Sequence, residues 1–258
     1  MSHDVLENVV KGGRRYYGQA IGIILYNTLS PRIPGDIGNA STFDFPVRLK
    51  FIEELDASWV MRDHPDSRAL SLLIEVAQEL EKDGVRAITT SCGFTVIYQR
   101  QLANSVSIPV FTSSLIQIPM IHRMLGSSRK IGIIASTLEP SDEYLRAAGI
   151  DKSIPLAIEL IPETGEFHRR ERELKINPQK VEKEIVEVAK QLVTKNPTVG
   201  AIVLECTQLP SFAFAIQKET NLPVFDIYSL TKMVHESLFR RSFFRHRPQQ
   251  FFDDNEFV

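Results

Sequence analysis

The sequences VRAITTSC at residues 85–92 and VGAIVLEC at residues 199–206 share one pattern, and each ends in a cysteine. Cys92 and Cys206 are the two cysteines of the chain. In both copies an apolar, β-branched run that is typical of a buried strand leads directly to the thiol. The chain therefore contains an internal duplication that presents one thiol in each copy.

The duplication extends on both sides of the cysteines. Downstream, Pro-Val-Phe triplets at residues 109–111 and 223–225 follow the two cysteines at the same distance. Upstream, the sequence Ile-Gly-Ile-Ile occurs at residues 21–24 and again at 131–134. Two lobes of similar architecture are therefore expected.

Short apolar runs alternate with stretches of helical periodicity, which is typical of a parallel sheet covered by helices. Between Ser67 and Gly84 the apolar positions recur with the spacing of one helix face, and Gly84 predicts the helix end. We predict an α/β protein of two pseudo-symmetric lobes, each a mainly parallel sheet flanked by helices, with the active site in the cleft between them. Residues 1–112 and 226–258 are assigned to lobe 1, and residues 113–225 to lobe 2.

The predicted elements follow this scheme, and the last helix is expected to pack back on lobe 1. Strands are predicted at 19–26, 85–90, 108–111, 130–136, 199–204 and 222–225, and further helices at about 95–105, 181–192 and 230–238.

The composition limits the classes of partner. Thirty lysine and arginine residues oppose 32 aspartate and glutamate residues among 258, so the formal charge is −2. A chain so close to neutral does not produce the positive electrostatic field that attracts nucleic acid or an anionic membrane. A small neutral or anionic metabolite is therefore the expected partner. No segment reaches the roughly 18 uninterrupted apolar residues of a membrane span, and Asp4 and Glu7 do not fit a secretory signal. We expect a cytoplasmic protein with reduced thiols and no nucleic-acid or membrane partner.

The cysteine and histidine spacings do not predict a disulfide framework or a metal site. The cysteines stand too far apart in sequence for a C-x-x-C site, and the histidines are scattered. No metal is therefore assigned.

The segment at residues 29–47 is a long connection for a compact α/β protein, and such loops are usually functional or disordered. Phe43 and Phe45 argue against disorder, because apolar groups seek burial. We predict a lid over the strand ends, with an oligomer contact as the alternative. Arg32 and Arg48, in or near this segment, are candidates to pair with a distal carboxylate of a ligand, although a solvated arginine is the alternative for each.

Both thiols are predicted at the carboxyl ends of parallel strands, where ligands bind in open α/β sheets. Each also precedes a predicted helix, whose first N–H groups would attract an anion and lower the thiol pKa toward neutrality. These N–H groups belong to Gly93, Phe94, Thr95, Thr207 and Gln208. A thiolate and a thiol on opposite sides of a substrate carbon would act as base and acid. The alternative is that Cys92 and Cys206 are small core residues. Their equivalent positions in the two copies disfavour this alternative.

The segments TTSCGFT, LECTQLP and GIIAST, in their positions along nearly the whole chain, resemble the aspartate/glutamate racemase superfamily, which includes amino-acid and hydantoin racemases. The resemblance implies a bilobal α/β fold, no pyridoxal phosphate or other cofactor, and two cysteines that exchange the Cα proton of a substrate. Cys92 and Cys206 would be these catalytic groups. The substrate carboxylate would be held by amides and hydroxyls at positions Asn27, Thr28, Thr95, Thr137 and Thr207.

The resemblance also implies a homo-oligomer, since dimers are common in the family. The tail beyond Arg240 mixes arginines with phenylalanines, so it could bind a neighbouring subunit or close over the core.

The sequence departs from glutamate-type members at both thiols. Those members have the sequence Cys-Asn-Thr at the first thiol, whereas this chain has Cys92-Gly93-Phe94. At the second thiol they have Cys-Thr-His, whereas this chain has Gln208 in place of the histidine. Glu205, before the second thiol, could orient that thiol or a water, or bond nearby backbone amides. We therefore predict a cofactor-independent racemase or epimerase of an amino acid or a derivative, and not a typical glutamate racemase. The alternatives are a maleate-isomerase-like enzyme, an arylmalonate-decarboxylase-like enzyme, which would need a single cysteine, or a noncatalytic bilobal metabolite-binding protein.

Overall fold

Two parallel β-sheets, one in each half of the chain, form the frame of the molecule. The computed structural model describes residue 13 and residues 15–62 and 65–240. Within them the strands are β1 (Ile21–Asn27), β2 (Val47–Asp56), β3 (Ala87–Thr90), β4 (Lys130–Ala135), β5 (Leu156–Leu160), β6 (Val199–Leu204) and β7 (Val224–Phe225). The first sheet has the order β2-β1-β3 and the second the order β5-β4-β6-β7, with parallel pairing throughout. The predicted α/β fold with two parallel sheets is confirmed.

Helices cover both sheets. In the described part of the chain they are α1 (Ser67–Asp83), α2 (Gln99–Ser105), α3 (Ile118–Leu125), α4 (Asp142–Ala147), α5 (Glu166–Glu173), α6 (Pro178–Lys195), α7 (Ala213–Thr220) and α8 (Ile227–Leu238). Short 3-10 turns occur at Ala40–Thr42, Ala57–Trp59, Gly93–Tyr98, Ser114–Gln117 and Leu209–Phe212. Ile227 and Leu230 of α8 belong to the same buried apolar cluster as Ile21 and Ile23 of β1, and α8 contacts β3, so the last helix returns to the first sheet as predicted.

The duplication is visible in how each central strand meets its helix. Gly22 in β1 lies against Leu80 of α1, and Gly132 in β4 lies against Leu192 of α6. A Cβ atom would stand 3.1 Å from Leu80 Cδ1 at the first glycine and 2.7 Å from Leu192 Cδ2 at the second. A glycine in each strand therefore lets one leucine of the covering helix approach the sheet closely.

The largest differences from the predicted elements concern edge strands. Sequence periodicity identifies neither β2 nor β5, because these two edge strands carry charged residues such as Arg48, Lys50 and Glu159 that interrupt the apolar run. The strand predicted at 108–111 is reduced to one bridge between Val110 and Ile88. The central strands lack this interruption, since both of their faces are covered.

The segment that precedes β2 connects the two halves of the molecule. The Ile37 N–H donates to the Thr207 carbonyl oxygen at 3.2 Å, and the Ile37 side chain is fully buried. Phe43 stacks on Tyr228 of α8 with 5.6 Å between ring centroids. The loop thus spans from the first sheet to the turn that carries Cys206.

Some expectations concern residues outside the described ranges. The aromatic tail at residues 241–258 lies there, so the predicted homo-oligomer remains a prediction, as do the lobe boundaries. Across the ranges that are described, none of the helices combines the length and the apolar character needed to cross a bilayer.

Leu192→Ala is expected to lower the free energy of unfolding by about 2–5 kcal/mol, because the substitution removes a fully buried side chain and leaves a cavity. Urea unfolding followed by circular dichroism would measure the change. The control is Gln191→Ala, one residue earlier on the exposed side of α6, which should alter stability by less than about 0.5 kcal/mol. Equal effects of both substitutions would contradict the described packing.

Candidate active site

A cavity of about 410 Å³ opens at the carboxyl ends of β1, β3, β4 and β6, and both cysteines line it. The end of β2, the loop before it and helix α5 also contribute to its wall. Cys92 and Cys206 thus come from equivalent positions of the two halves and share one cavity.

Most of the other predicted site residues also line this cavity: Asn27, Thr28, Gly93, Phe94, Thr137, Thr207 and Gln208. Some of their polar groups are already engaged within the protein. The Asn27 amide donates to the Glu53 carbonyl oxygen at 2.7 Å, and the Thr207 hydroxyl donates to the Ser91 carbonyl oxygen at 2.7 Å. The second bond ties the two cysteine loops directly to each other.

Thr95 and Arg48 lie outside the cavity lining. Thr95 is fully buried, and its hydroxyl pairs with the Tyr26 hydroxyl at 2.8 Å, so it supports the wall from behind. Arg48 faces Asp83 on α1 at 3.4 Å and stacks over the Tyr16 ring. Arg32, the other arginine candidate, does line the cavity and pairs with Asp36 at 2.8 Å.

The ionisation predicted for the thiols is wrong in direction. Burial raises the pKa of Cys92, the negative charge of Glu205 raises this pKa further, and the backbone N–H groups of Phe94 and Thr95 oppose the rise. The N–H groups inferred from the sequence are therefore present, but they begin a short 3-10 turn and burial outweighs them. Cys92 is a neutral thiol at physiological pH.

Cys206 has a more polar environment. Burial raises the pKa of this thiol to about 12, and Glu205 adds to the rise. The guanidinium of Arg170 opposes it, with smaller contributions from the Gln208 backbone and the Ser136 hydroxyl. Of the two thiols, Cys206 is the one whose ionised form a nearby cation stabilises.

Arg170 is a cavity residue that sequence reasoning did not identify. Its side chain is almost fully buried in α5, lies over the Phe167 ring at 3.5 Å from the centroid, and donates to the side chain of Gln208 and the carbonyl of Phe167. Glu171 accepts from it at 3.3 Å. Burial lowers the pKa of the guanidinium. The run HRRERE reads as a solvated helix, and no sequence signal marks which arginine turns inward.

His168 and Ser136 are further lining residues that the sequence did not indicate. The His168 ring Nε2 lies 2.7 Å from the Ser136 carbonyl oxygen, which holds the first turn of α5 against the end of β4. Within the described ranges, no three His, Cys, Asp or Glu side chains gather as they would around a metal ion.

The cavity lining combines cationic, acidic and aromatic side chains. Arg32 comes from the loop before β2, and the second half of the chain contributes His168 and Arg170 together with the acidic residues Glu171 and Glu205. The first half contributes Tyr26, Met61 and Phe94, together with the carboxylate of Asp56. The lining therefore contains guanidinium groups that suit a carboxylate and aromatic rings that suit an apolar or cationic group.

Comparison with known sequences identifies both a family and named relatives. The family model described as Asp/Glu/Hydantoin racemase matches residues 49–231. A protein named dimethylsulfoniopropionate lyase from Durusdinium sp. clade D is 28% identical over 213 residues, which cover 80% of this chain and 71% of that protein. Dimethylsulfoniopropionate lyase 3 from Emiliania huxleyi is 25% identical over 219 residues, 80% of this chain and 56% of that protein. The chain thus spans just over half of the length of the second relative.

Solved structures share the fold at low sequence identity. An aspartate racemase homologue from Pyrococcus horikoshii OT3 superposes with a TM-score of 0.53 and 17% identity, covering 86% of this chain and 100% of that chain. Unliganded arylmalonate decarboxylase gives a TM-score of 0.53 and 14% identity, with 80% and 86% coverage. These likenesses concern the arrangement of the two sheets and their helices.

Proposed function

The chain belongs to the Asp/Glu/hydantoin racemase family, and from that premise we propose that it is an enzyme that removes a proton from the carbon next to a carboxylate. Cys92 and Cys206 are the proposed acid and base groups. The observation that carries the proposal is that thiols from equivalent positions in the two halves line one cavity. A small carboxylate is the proposed substrate class.

The proposed reaction is β-elimination on dimethylsulfoniopropionate or a similar sulfonium carboxylate. A thiolate takes the proton from the carbon next to the carboxylate, and the electrons of that C–H bond form the C=C bond. The C–S bond breaks, and its electron pair leaves with sulfur as dimethyl sulfide, so acrylate remains. Sulfur begins positively charged and leaves neutral, so the leaving group needs no proton.

The character of the cavity wall supports a substrate with a carboxylate at one end and a cation at the other. The guanidinium of Arg170 offers the planar donors that suit a carboxylate. The rings of Tyr26 and Phe94 and the carboxylate of Asp56, which line the same cavity, suit a sulfonium group, which is a soft, apolar cation. The names of the relatives point to the same substrate.

Cys206 is the proposed base in this reaction. The thiolate that forms must be stabilised in a buried site, and Arg170 lowers the free energy of a charge on Cys206. Among the described residues, the groups that lower the pKa of Cys92 are the backbone N–H groups of Phe94 and Thr95, which carry no full charge. In an elimination, one base is sufficient, so Cys92 has a secondary role.

Racemisation or epimerisation of an amino acid or derivative is the second candidate. It is favoured by the pair of thiols, because inverting a carbon centre requires a base on one face and an acid on the other. Under this alternative both thiols are equally necessary.

Incubation of the purified protein with dimethylsulfoniopropionate in D₂O is expected to release dimethyl sulfide, measured by gas chromatography, and acrylate, measured by NMR. Parallel incubations with amino acids and hydantoins would be followed by Cα deuteration and by chirality. Deuteration of an amino acid with no sulfide released would favour the racemase. Binding of these compounds without deuteration or product would overturn both proposals in favour of a binding protein.

A further inference from the structure

Glu205 places a buried carboxyl group beside both thiols. Its side chain contributes to the cavity wall, yet only 1% of the residue is exposed. Among the described residues, Glu205 Oε2 has no hydrogen-bond partner, and the ion pairs that they form do not include this carboxyl. A buried carboxyl that has one unpaired oxygen and no ion-pair partner costs far more free energy as an anion than as the neutral acid.

The carboxyl is a departure from the internal duplication. The Ser91 N–H donates to the Ile24 carbonyl oxygen, and the Glu205 N–H donates to the Ile134 carbonyl oxygen, both at 2.9 Å. Ser91 and Glu205 are therefore equivalent residues, each directly before a cysteine. The first half places a hydroxyl at this position, so the frame itself does not require the acid.

Gly93 provides the space that the carboxyl occupies. A Cβ atom at Gly93 would overlap Oε1 and the carbonyl oxygen of Glu205. The side chain of Glu205 therefore reaches from the residue beside Cys206 to the backbone beside Cys92. Its charge state acts on both thiols at once.

We propose that Glu205 is a positioning residue that works as a neutral carboxylic acid between the two thiol loops, and that its ionisation keeps both thiols protonated. With Glu205 neutral, no charge on this carboxyl opposes the formation of a thiolate at Cys92 or Cys206. The consequence for catalysis rests on the proposed function, whereas the effect on the thiols does not.

The titration of Glu205 sets the direction of the pH dependence. Burial raises its pKa to about 8, and the Ser136 backbone opposes the rise. In addition to the thiols, the other ionisable groups that line this cavity are Tyr26, Arg32, Asp56, His168, Arg170 and Glu171. Of these, Arg170 favours a charge on Cys206. Below about pH 8 the acid is neutral; above it, the carboxylate raises the pKa of both thiols. Activity that depends on a thiolate should therefore fall relative to a variant that cannot ionise.

Alkylation by iodoacetamide, resolved for Cys92 and Cys206 by mass spectrometry, tests the proposal without any substrate. In the wild type the alkylation rates should flatten above about pH 8. In Glu205→Gln they should continue to rise, so that one pH unit above this midpoint the variant reacts up to about tenfold faster. The glutamine keeps the shape of the side chain and cannot ionise.

Glu159→Gln, on the edge strand β5 and paired with Lys195 at 2.7 Å, is the control and should follow the wild-type profile. Parallel rise of the wild-type and Glu205→Gln rates would overturn the proposal. If Glu205→Gln does not fold, the wild-type profile decides, since a rate that rises without flattening would also overturn it. A flattened alkylation profile in a protein that releases no dimethyl sulfide would support the role of Glu205 and count against the proposed elimination alone.

Discussion

Cys206→Ser should lower the rate of cleavage of the bond between Cα and hydrogen by about 10³-fold, because a serine hydroxyl is far too weak an acid to supply the anionic base. The rate of dimethyl sulfide release from dimethylsulfoniopropionate measures this loss. Circular dichroism and thermal unfolding should match the wild type, since oxygen replaces sulfur in a side chain of similar shape.

Cys92→Ser distinguishes the two proposed reactions. In the elimination, the leaving sulfide needs no proton, so Cys92→Ser should retain most of the wild-type rate, in contrast to Cys206→Ser. In a racemisation, the second thiol must return a proton on the opposite face, so the two variants should lose activity alike. Full activity in both variants would show that neither thiol is the base and would end both proposals.

Arg170→Met is expected to lower kcat/KM by about 100-fold, because it removes charge-assisted hydrogen bonds that are each worth roughly 1.5–3 kcal/mol. Most of the loss should appear in KM, since the substrate carboxylate is present before and during the reaction. A smaller fall in kcat is expected because Arg170 also stabilises the Cys206 thiolate. Methionine keeps an apolar contact with Phe167, which limits the loss of packing.

Arg169→Met is the matched control for this substitution. Arg169 lies one residue earlier in α5, is 44% exposed, and pairs with Glu166 and Glu173 at the surface. The Arg169→Met substitution should leave kcat/KM within about twofold of the wild-type value. Exposed ion pairs contribute at most about 1 kcal/mol to stability, and Arg169 is not among the residues that line the cavity. Similar kinetic losses in both variants would show that the effect of Arg170→Met comes from the fold and not from carboxylate binding.

The sequence predicts the frame well because the frame depends on local patterns. An apolar run of β-branched residues forms a strand wherever both faces are covered, and the helix from Ser67 ends at Gly84, whose φ of 100° is the left-handed conformation that glycine adopts readily. The edge strand β2 escapes this reasoning, since charged residues such as Arg48 and Lys50 interrupt its apolar pattern.

The duplicated octapeptides are sufficient to predict that two similar halves each bring one cysteine to the end of a buried strand. The chemistry around those cysteines follows from the folded arrangement. The burial that keeps Cys92 and Cys206 protonated, the inward turn of Arg170 and the withdrawal of Thr95 behind the wall all result from contacts between distant parts of the chain. Local periodicity specifies which face of a strand or helix is apolar, but desolvation and charge depend on what the rest of the fold places against that face.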